Sequence, residues 1–376
     1  MRQRWLIGAL VIASIVGLSV WATATDEAGV APSAADYTPA TARSWHLRGA
    51  DAAERRRDAL RRASVRIASP TRVALPPVTL GAADALGGPL PTCRFVPEPI
   101  SGTTPKFHCV FAGGDVVKVK YGRNPEIQAE AAATRLLDAL GFPADFVAIV
   151  PRIRCYGCPR LPFETLLLSS LLPVKIGGGD GYTDFEWVAV ERRLPAPAIE
   201  TDEEKGWAWW ELKDSIAPRV DLDALRAIAV FLAHWDNKAD NQRLVCLDNE
   251  PPAAGSPCRR PLAMVQDLGA TFGPDKVNLT TWRDAPLWDD ARRCVLSMHA
   301  LPYRGSTFPD VQISEEGRLQ AVRQLSMLTD DDLRRLFTDA RFPQYYSGTD
   351  DRRDVEAWTR AFRARVDRLR VAGPCA

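Results

Sequence analysis

The order of secondary-structure patterns most narrows the folds open to this chain. Up to about residue 193 the patterns are mainly those of strands. Phe107–Val119 predicts two strands around the turn at 112–115, and further strands are expected at 147–153 and 187–190. One helix interrupts them at Glu126–Leu140, where an apolar stripe ends at a glycine. This part of the chain therefore predicts strands with one main helix.

Helix patterns dominate the remainder. The segment 221–235 is strongly apolar, as expected for a buried helix. Later helices are expected at 314–326, 330–338 and 353–370. The sequence thus predicts an α+β fold in two lobes, with a β-rich N-lobe at 88–193 and a mostly α-helical C-lobe at 194–376.

The chain begins with a pattern typical of export. A basic start is followed by an uncharged apolar run from Trp5 to Trp21 and then by small residues at 22–24. Residues 1–24 are thus predicted to be a signal peptide or an N-terminal membrane anchor. The body would be periplasmic, secreted or anchored facing outward, touching a membrane only through this segment. Residues 25–87 are expected to be a linker with an Ala/Arg-rich helix.

Cysteine content agrees with an oxidising compartment. The chain has 8 cysteines, all beyond the apolar run, and an even number favours disulfides there. Cys155 and Cys158 form a C-x-x-C, which could be a structural disulfide, part of a metal site or a redox pair. Cys246 and Cys258 bracket an insertion between two expected strands, so their pairing is predicted.

Overall charge excludes one class of partner. The net charge is +1, with 48 basic and 47 acidic residues. A nucleic-acid-binding protein needs an excess of positive charge to neutralise phosphates. No nucleic-acid partner is therefore expected.

The stretch His234–Asn241 carries the most chemical information. Its form is H-x-D-x-K-x-x-N, the pattern of a kinase catalytic loop. In such a loop Asp236 would orient the attacking hydroxyl and Asn241 would hold a metal ion, because these two roles require that spacing. Lys238 between them would neutralise charge on the transferred group. A helix end with capping Asp and Asn is the simpler alternative.

A second motif follows at Asp267. An apolar strand runs into Asp-Leu-Gly, where a kinase places the metal-binding Asp of its D-F-G element, with Leu here in place of Phe. A strand that ends in an ordinary turn would give the same pattern. The spacing from Asn241 is longer than a kinase hairpin needs, and the insertion between Cys246 and Cys258 accounts for the excess.

Phosphate-positioning residues are expected in the first lobe. Lys118 and Lys120 are two candidates on one strand face for a phosphate-binding lysine, and Lys118 is preferred. Glu130 on the next helix is the candidate ion-pair partner. Gly102, Thr103 and Thr104 lie in a loop that could cover phosphates through its backbone N–H groups and hydroxyls, although a plain turn explains it nearly as well.

These segments together resemble the HipA-type kinases over about residues 100–273. The matching segments are Ser101–Phe107, the Val-Val-Lys-Val strand, Glu130–Phe142, the Val188–Arg192 hinge strand and the two motifs above. The tail 267–273 is also similar to that of phosphoinositide lipid kinases. Thr104 stands where the HipA loop has Gln, Lys238 where the HipA loop usually has His, and no Ala-Pro-Glu motif follows Asp267.

The resemblance implies a bilobal protein-kinase-like fold, ATP with Mg²⁺ or Mn²⁺, and transfer to an unidentified hydroxyl acceptor on a protein, lipid or small molecule. It also implies that Glu191 lines the nucleotide site. Two alternatives remain at this stage. One is an exported pseudokinase that binds nucleotide or a partner without turnover, and the other is a thiol-disulfide protein that uses Cys155 and Cys158.

Overall fold

A computed structural model describes residues 45–67, 75, 90–169, 179–248, 257–302, 305–346, 351–371 and 374–375. The segment expected to direct export, residues 1–24, lies outside the described residues, as does most of the expected linker. None of the helices in the described ranges combines the length and the apolar character needed to cross a membrane.

The first part of the chain is rich in strands. In chain order, its elements are β1 (Trp45–His46), α1 (Ala52–Arg62), β2 (Thr92–Val96), β3 (Lys106–Phe111), β4 (Val116–Lys120), α2 (Pro125–Ala139), β5 (Phe146–Tyr156), α3 (Pro162–Ser169), β6 (Tyr182–Arg192) and β7 (Ile199–Glu200). The expected strand pairs and the main helix are present.

The second part is mainly helical. Its elements are α4 (Arg219–Leu232), β8 (Gln242–Cys246), β9 (Pro261–Val265), α5 (Leu279–Asp284), β10 (Trp288–Asp290), β11 (Val295–Leu296), β12 (Val311–Gln312), α6 (Glu315–Met327), α7 (Asp330–Asp339), α8 (Phe342–Tyr345) and α9 (Val355–Arg370). Strands β8 and β9 form a two-stranded hairpin, and β10–β12 form a small three-stranded sheet.

Five strands close into a barrel in the order β2-β3-β4-β6-β5, which the sequence analysis did not anticipate. Closure comes from β2, which pairs antiparallel with β3 and parallel with β5. Alternation along β4 places Val117 and Val119 in the barrel core and sends Lys118 and Lys120 to the outer face. The barrel thus presents a row of charged side chains outside an apolar interior.

Four disulfides account for all the cysteines. The predicted Cys246–Cys258 pair is confirmed. It joins the last residue of β8 to a residue just before β9, on the far side of the insertion. Cys93–Cys109 connects β2 with β3, and Cys294–Cys375 connects the small sheet with the C-terminus. Cys155 and Cys158 also form a disulfide, with both residues buried against the barrel core, which supports a structural role for the C-x-x-C.

Helix α2 packs on the outside of the barrel and positions Glu130. Asn124 caps its N-terminus by accepting from the Glu126 backbone N–H, and Pro125 occupies the first turn. At the other end, Arg135 forms an ion pair with Asp339 at 2.9 Å. Gln324 donates to the Leu140 carbonyl oxygen at 3.1 Å. The helix is therefore held by the barrel on one side and by C-terminal helices on the other.

Residues 45–67 belong to the folded body, although the sequence analysis placed them in a linker. The expected helix is present as α1, and Ala59, Leu60 and Val65 lie in the main hydrophobic core. Ser64 forms backbone hydrogen bonds with both Pro261 and Ala263 of β9. Small alanines and arginine stems pack closely here, so few large apolar residues are needed to bury this segment.

Candidate functional site

The end of α4 delivers the His234–Asn241 loop. The helix stops at Ala233, whose φ of 55° is left-handed and turns the chain out of the helix. Asn237 is fully buried, and its Oδ1 accepts from Ser306 Oγ, the Thr307 N–H and the Phe308 N–H at 3.0, 2.8 and 3.1 Å. The residue next to Asp236 thus anchors the loop to the 305–308 segment.

Asp236, Lys238 and Asn241 lie together on this loop. Asn241 Nδ2 donates to the Asp236 carbonyl oxygen at 2.7 Å, and Lys238 Nζ lies 3.4 Å from Asp236 Oδ1. Asn241 is buried, whereas Asp236 and Lys238 are partly exposed. The carboxylate therefore faces a surface that an incoming molecule can reach.

The β8–β9 hairpin brings Asp267 to this loop. Gln242 pairs with Val265 in the hairpin register, and the Gln266 N–H donates to the Asn241 carbonyl oxygen at 3.1 Å. Asp267 has a φ of 51°, a left-handed conformation that Asp tolerates better than most residues. Such conformations cluster at functional sites because the surrounding structure must hold them in place.

Lys120 is the hub that connects the barrel with Asp267. Its Nζ lies 2.5 Å from Glu130 Oε2, 3.4 Å from Glu191 Oε2 and 3.6 Å from Asp267 Oδ1. Lys120 and both glutamates are buried. Side chains from β4, α2, β6 and the end of β9 thus converge on one ammonium group.

The preference for Lys118 as the partner of Glu130 was wrong. Lys118 stands directly opposite Glu191 in the β4–β6 register, and its Nζ pairs with Glu191 Oε1 at 2.6 Å. Residues i and i+2 share a strand face, so the face alone could not separate the two lysines. Because the cross-strand contact engages Lys118, Lys120 is the lysine that reaches the helix.

Burial and charge compete across this cluster. Burial raises the pKa of Glu130 to about 7, against the attraction of Lys120. Burial also opposes ionisation of Glu191, and desolvation by neighbouring protein atoms opposes that of the half-exposed Asp267, but Lys118 and Lys120 outweigh both effects and lower the pKa of each carboxyl. For Lys120, burial is outweighed by the carboxylates, so its pKa rises and the ammonium stays charged.

Lys106 is a site residue that the sequence analysis missed. It stands opposite Lys120 in the β3–β4 register, and a Cβ atom at Gly102 would lie 3.1 Å from its Nζ. Burial and the charges of Lys120 and Lys118 lower the pKa of Lys106. Alternation along β3 was the signal in the sequence: Phe107 lies in the barrel core, so Lys106 lies on the outer face.

The 101–105 loop differs from the expectation at one position. Gly102 and Thr103 are exposed, and Gly102 adopts a φ of 82° that favours glycine. Thr104 is buried instead, donating to the Glu126 carboxylate and accepting from Asn124 Nδ2 at 3.1 Å. Thr104 thus fastens the loop to α2 through its hydroxyl, which bonds both Glu126 and Asn124.

His234 is fully buried behind the loop. Burial lowers its pKa to about 4, so the imidazole is neutral at physiological pH. Its Nε2 lies 3.5 Å from Gln242 Nε2 in the hairpin. His234 thus supports the loop from the protein interior.

The donor set fits a hard divalent cation. Asn241 uses its amide nitrogen on Asp236, which leaves Oδ1 as its remaining polar atom. The side chain of Asp267 is 48% exposed. Its carboxylate oxygens are brought near Asn241 because the backbone of the preceding residue, Gln266, is hydrogen-bonded to the Asn241 carbonyl. Oxygen ligands of this kind suit Mg²⁺ and Mn²⁺.

Comparisons with known proteins give distant structural likenesses only. No protein-family model matches the sequence, and no curated protein matches it. A Helicobacter pylori proinflammatory kinase, CtkA, gives a TM-score of 0.39 at 9% identity over 76% of this chain and 95% of that one. The Golgi casein kinase gives 0.32 at 12% identity, over 75% of this chain and 72% of that one.

The Golgi casein kinase with Mn/ADP bound gives a TM-score of 0.30 at 13% identity, over 75% of this chain and 71% of that one. All three TM-scores lie below 0.5. Interpretation of the site therefore depends on its own geometry.

Proposed function

We propose that this protein is an ATP-dependent phosphotransferase with a bilobal, protein-kinase-like fold. One observation carries the proposal: Lys120 Nζ lies 2.5 Å from Glu130 Oε2 and 3.6 Å from Asp267 Oδ1, while the hairpin links Asp267 to the Asp236 loop. A lysine held by a helix glutamate, beside a metal-binding Asp and a loop with Asp and Asn, is the set that phosphoryl transfer requires.

Each residue has a role in this proposal. Lys120, positioned by Glu130, would hold the nucleotide phosphates, and Lys106 would add a second positive charge from the opposite strand. Asp236 would orient the acceptor hydroxyl, and Lys238 would stabilise the charge that develops during transfer. Glu191 forms ion pairs with both Lys118 and Lys120, so Glu191 and Lys118 complete the charge balance of the site.

Asn241 and Asp267 would hold the divalent cation that accompanies ATP. Bound there, Mg²⁺ or Mn²⁺ would neutralise phosphate charge during transfer. The left-handed backbone of Asp267 directs its carboxylate toward Lys120, with Oδ1 3.6 Å from Nζ. The chain's own residues thus set the position of the carboxylate oxygens.

An exported location is part of the proposal. The basic and apolar N-terminal pattern supports it, and so do four disulfides, which persist in oxidising compartments. The acceptor would be a hydroxyl group on a protein, lipid or small molecule in that compartment.

Direct phosphate transfer tests the proposal. The purified mature protein is incubated with γ-labelled ATP, Mg²⁺ or Mn²⁺ and panels of protein, lipid and small-molecule acceptors. We expect incorporation by the wild type and at least a hundredfold loss in Asp267→Ala, because the metal oxygen is removed. Asp289→Ala, an exposed carboxylate on β10, is the matched control and should keep full activity. No transfer with any acceptor and either metal would reject the enzyme.

A pseudokinase is the second candidate. It is favoured because three carboxylates already form ion pairs with the Lys120 ammonium. Glu130, Glu191 and Asp267 already satisfy its ammonium, so bound phosphates must compete with them. Stabilisation by ATP and Mg²⁺ without transfer would support this version. Such binding would be lost in Lys120→Met.

A further inference from the structure

Glu126, in the first turn of α2, joins two loops that flank the proposed phosphate site. One carboxylate oxygen accepts from the hydroxyl of Thr104, in the 101–105 loop. The other pairs with the ammonium of Lys276, beyond Asp267. A Cβ atom at Gly269 would lie 3.0 Å from Glu126 Cβ, so the chain just after Asp267 also passes against this residue.

The segment 268–278 adopts a strained path to reach Glu126. Phe272, Lys276 and Val277 have φ values of 57°, 55° and 43°, in the left-handed region that non-glycine residues avoid. Val277 is β-branched, for which this conformation is a genuine outlier. Strain of this kind persists only where surrounding contacts determine the backbone, and the Lys276–Glu126 pair is one such contact.

The same segment also holds the catalytic loop. Trp235 Nε1 donates to the Gly273 carbonyl oxygen at 3.2 Å, and the Trp235 N–H donates to the Ala270 carbonyl oxygen at 3.3 Å. Lys276 Nζ lies 5.5 Å from the Trp235 ring, within the range of a cation–π contact. Displacing Lys276 would therefore disturb the residue next to Asp236.

We propose that Glu126 is a positioning residue that locks segment 268–278 and the 101–105 loop around the phosphate site through Lys276 and Thr104. The lock consists only of side chains of this protein, so segment 268–278 needs no added charged group, such as a phosphate, to be held in place. The inference rests on the proposed function for its catalytic meaning, while the lock itself is a structural claim that can be tested separately.

Hydrogen exchange of the intact protein, read by mass spectrometry, tests the lock. In Glu126→Gln and in Lys276→Met, we expect amides of 268–278 to exchange about tenfold faster, with no further increase in the double variant, because both changes break one interaction. Thr104→Val should leave exchange in 268–278 unchanged and weaken ATP–Mg²⁺ binding. Glu164→Gln is the matched control, since that carboxylate accepts only from the Tyr121 hydroxyl among the described hydrogen bonds and has no described ion pair.

Unchanged exchange in Glu126→Gln, or effects of the two single variants that add in the double variant, would overturn the lock. ATP–Mg²⁺ affinity, measured on the same samples by calorimetry, separates the two proposals. If the wild type binds no nucleotide, the proposed function fails and the exchange data still decide whether Glu126 holds the segment. If it binds, Glu126→Gln should raise the Kd for ATP–Mg²⁺ more than Glu164→Gln does.

Discussion

Lys118 and Lys120, two lysines on β4, differ in their ion-pair partners. Lys118 faces Glu191 alone among the described ion pairs, whereas Lys120 is shared by Glu130, Glu191 and Asp267. Buried charges of this kind are costly unless each has a partner, so removing the shared one disturbs the whole cluster. The two lysines should therefore contribute unequally to the site.

Lys120→Met should reduce ATP–Mg²⁺ affinity by at least tenfold, because it removes the ammonium that three carboxylates share and leaves more negative charge facing the phosphates. Lys118→Met, the matched change two residues away, should reduce it severalfold less. Isothermal titration calorimetry of both variants checks this. Equal losses, or a larger loss for Lys118→Met, would contradict the assignment of Lys120 to the phosphates.

The pKa of Glu130 predicts how the site responds to pH. Burial raises this pKa to about 7, so the folded protein keeps Glu130 protonated below that value, and Lys120 then lacks its ionised helix partner. We expect kcat/KM to fall as pH drops below about 7. Glu130→Gln should have a low rate without this acid limb, and a wild-type profile that is flat from pH 6 to 8 would count against the argument.

The same shift has the opposite sign for stability. The unfolded chain releases the Glu130 proton near the ordinary pKa of 4.5, whereas the folded protein retains it to about 7. Ionisation is thus easier in the unfolded state, so the contribution of Glu130 to folding stability declines as pH rises between these values. Activity and stability should therefore respond in opposite directions over this window.

Motif spacing predicted most of the site at the residue scale. Asp236, Asn241 and Asp267 could be found because their spacing along the chain reflects one loop and one hairpin. Lys106 and the inward-turned Thr104 could not, since their roles depend on which residues stand opposite them across a strand or a helix end. Those pairings follow from tertiary structure.

At the scale of elements, one buried arginine connects α9 to α4, the helix that leads into the His234–Asn241 loop. Arg365 is fully buried, and burial lowers its pKa to about 9. Its guanidinium donates to the carbonyl oxygens of Val230 and Phe231 at the end of α4, and to those of Trp282 and Ala285 at α5. The guanidinium thus gives four carbonyl oxygens near the helix ends a further, charged hydrogen-bond donor.

Arg365→Met should lower the free energy of unfolding by about 3 kcal/mol, because it keeps most of the apolar stem but removes four buried, charge-assisted hydrogen bonds. Arg360→Met, on the exposed face of the same helix and paired with Asp354, should change it by less than about 1 kcal/mol. Urea unfolding of the two variants gives both values. Similar effects would mean that loss of the carbonyl contacts is not the cause.

Element types were more predictable than their assembly. Periodicity predicted the helices at α2, α4, α6, α7 and α9 within a few residues of their bounds. Barrel closure was not predictable, since it depends on β2 pairing in parallel with β5, a contact between strands far apart in sequence. Likewise, the alanine-rich α1 has too few large apolar residues to signal that it packs on the β9 hairpin.

At the scale of the whole molecule, the disulfides join regions of very different separation. Cys294–Cys375 spans 81 positions and ties the small sheet to the C-terminus, whereas Cys155–Cys158 spans 3. In each pair one cysteine is fully buried and the other is 9% exposed. Each disulfide removes conformational entropy from the unfolded chain. This entropy differs between the two pairs more than their side-chain burial does.

Replacing each pair by alanines tests this difference. Loop-closure entropy predicts a loss of about 4.5 kcal/mol for Cys294→Ala with Cys375→Ala, against about 2 kcal/mol for Cys155→Ala with Cys158→Ala. Because the two pairs are equally buried, packing losses should nearly cancel in the comparison. Denaturant unfolding under oxidising conditions gives the two values. Equal losses would assign the stabilisation to local packing, whereas the expected gap would mean that the helical part of this protein depends on an oxidising compartment.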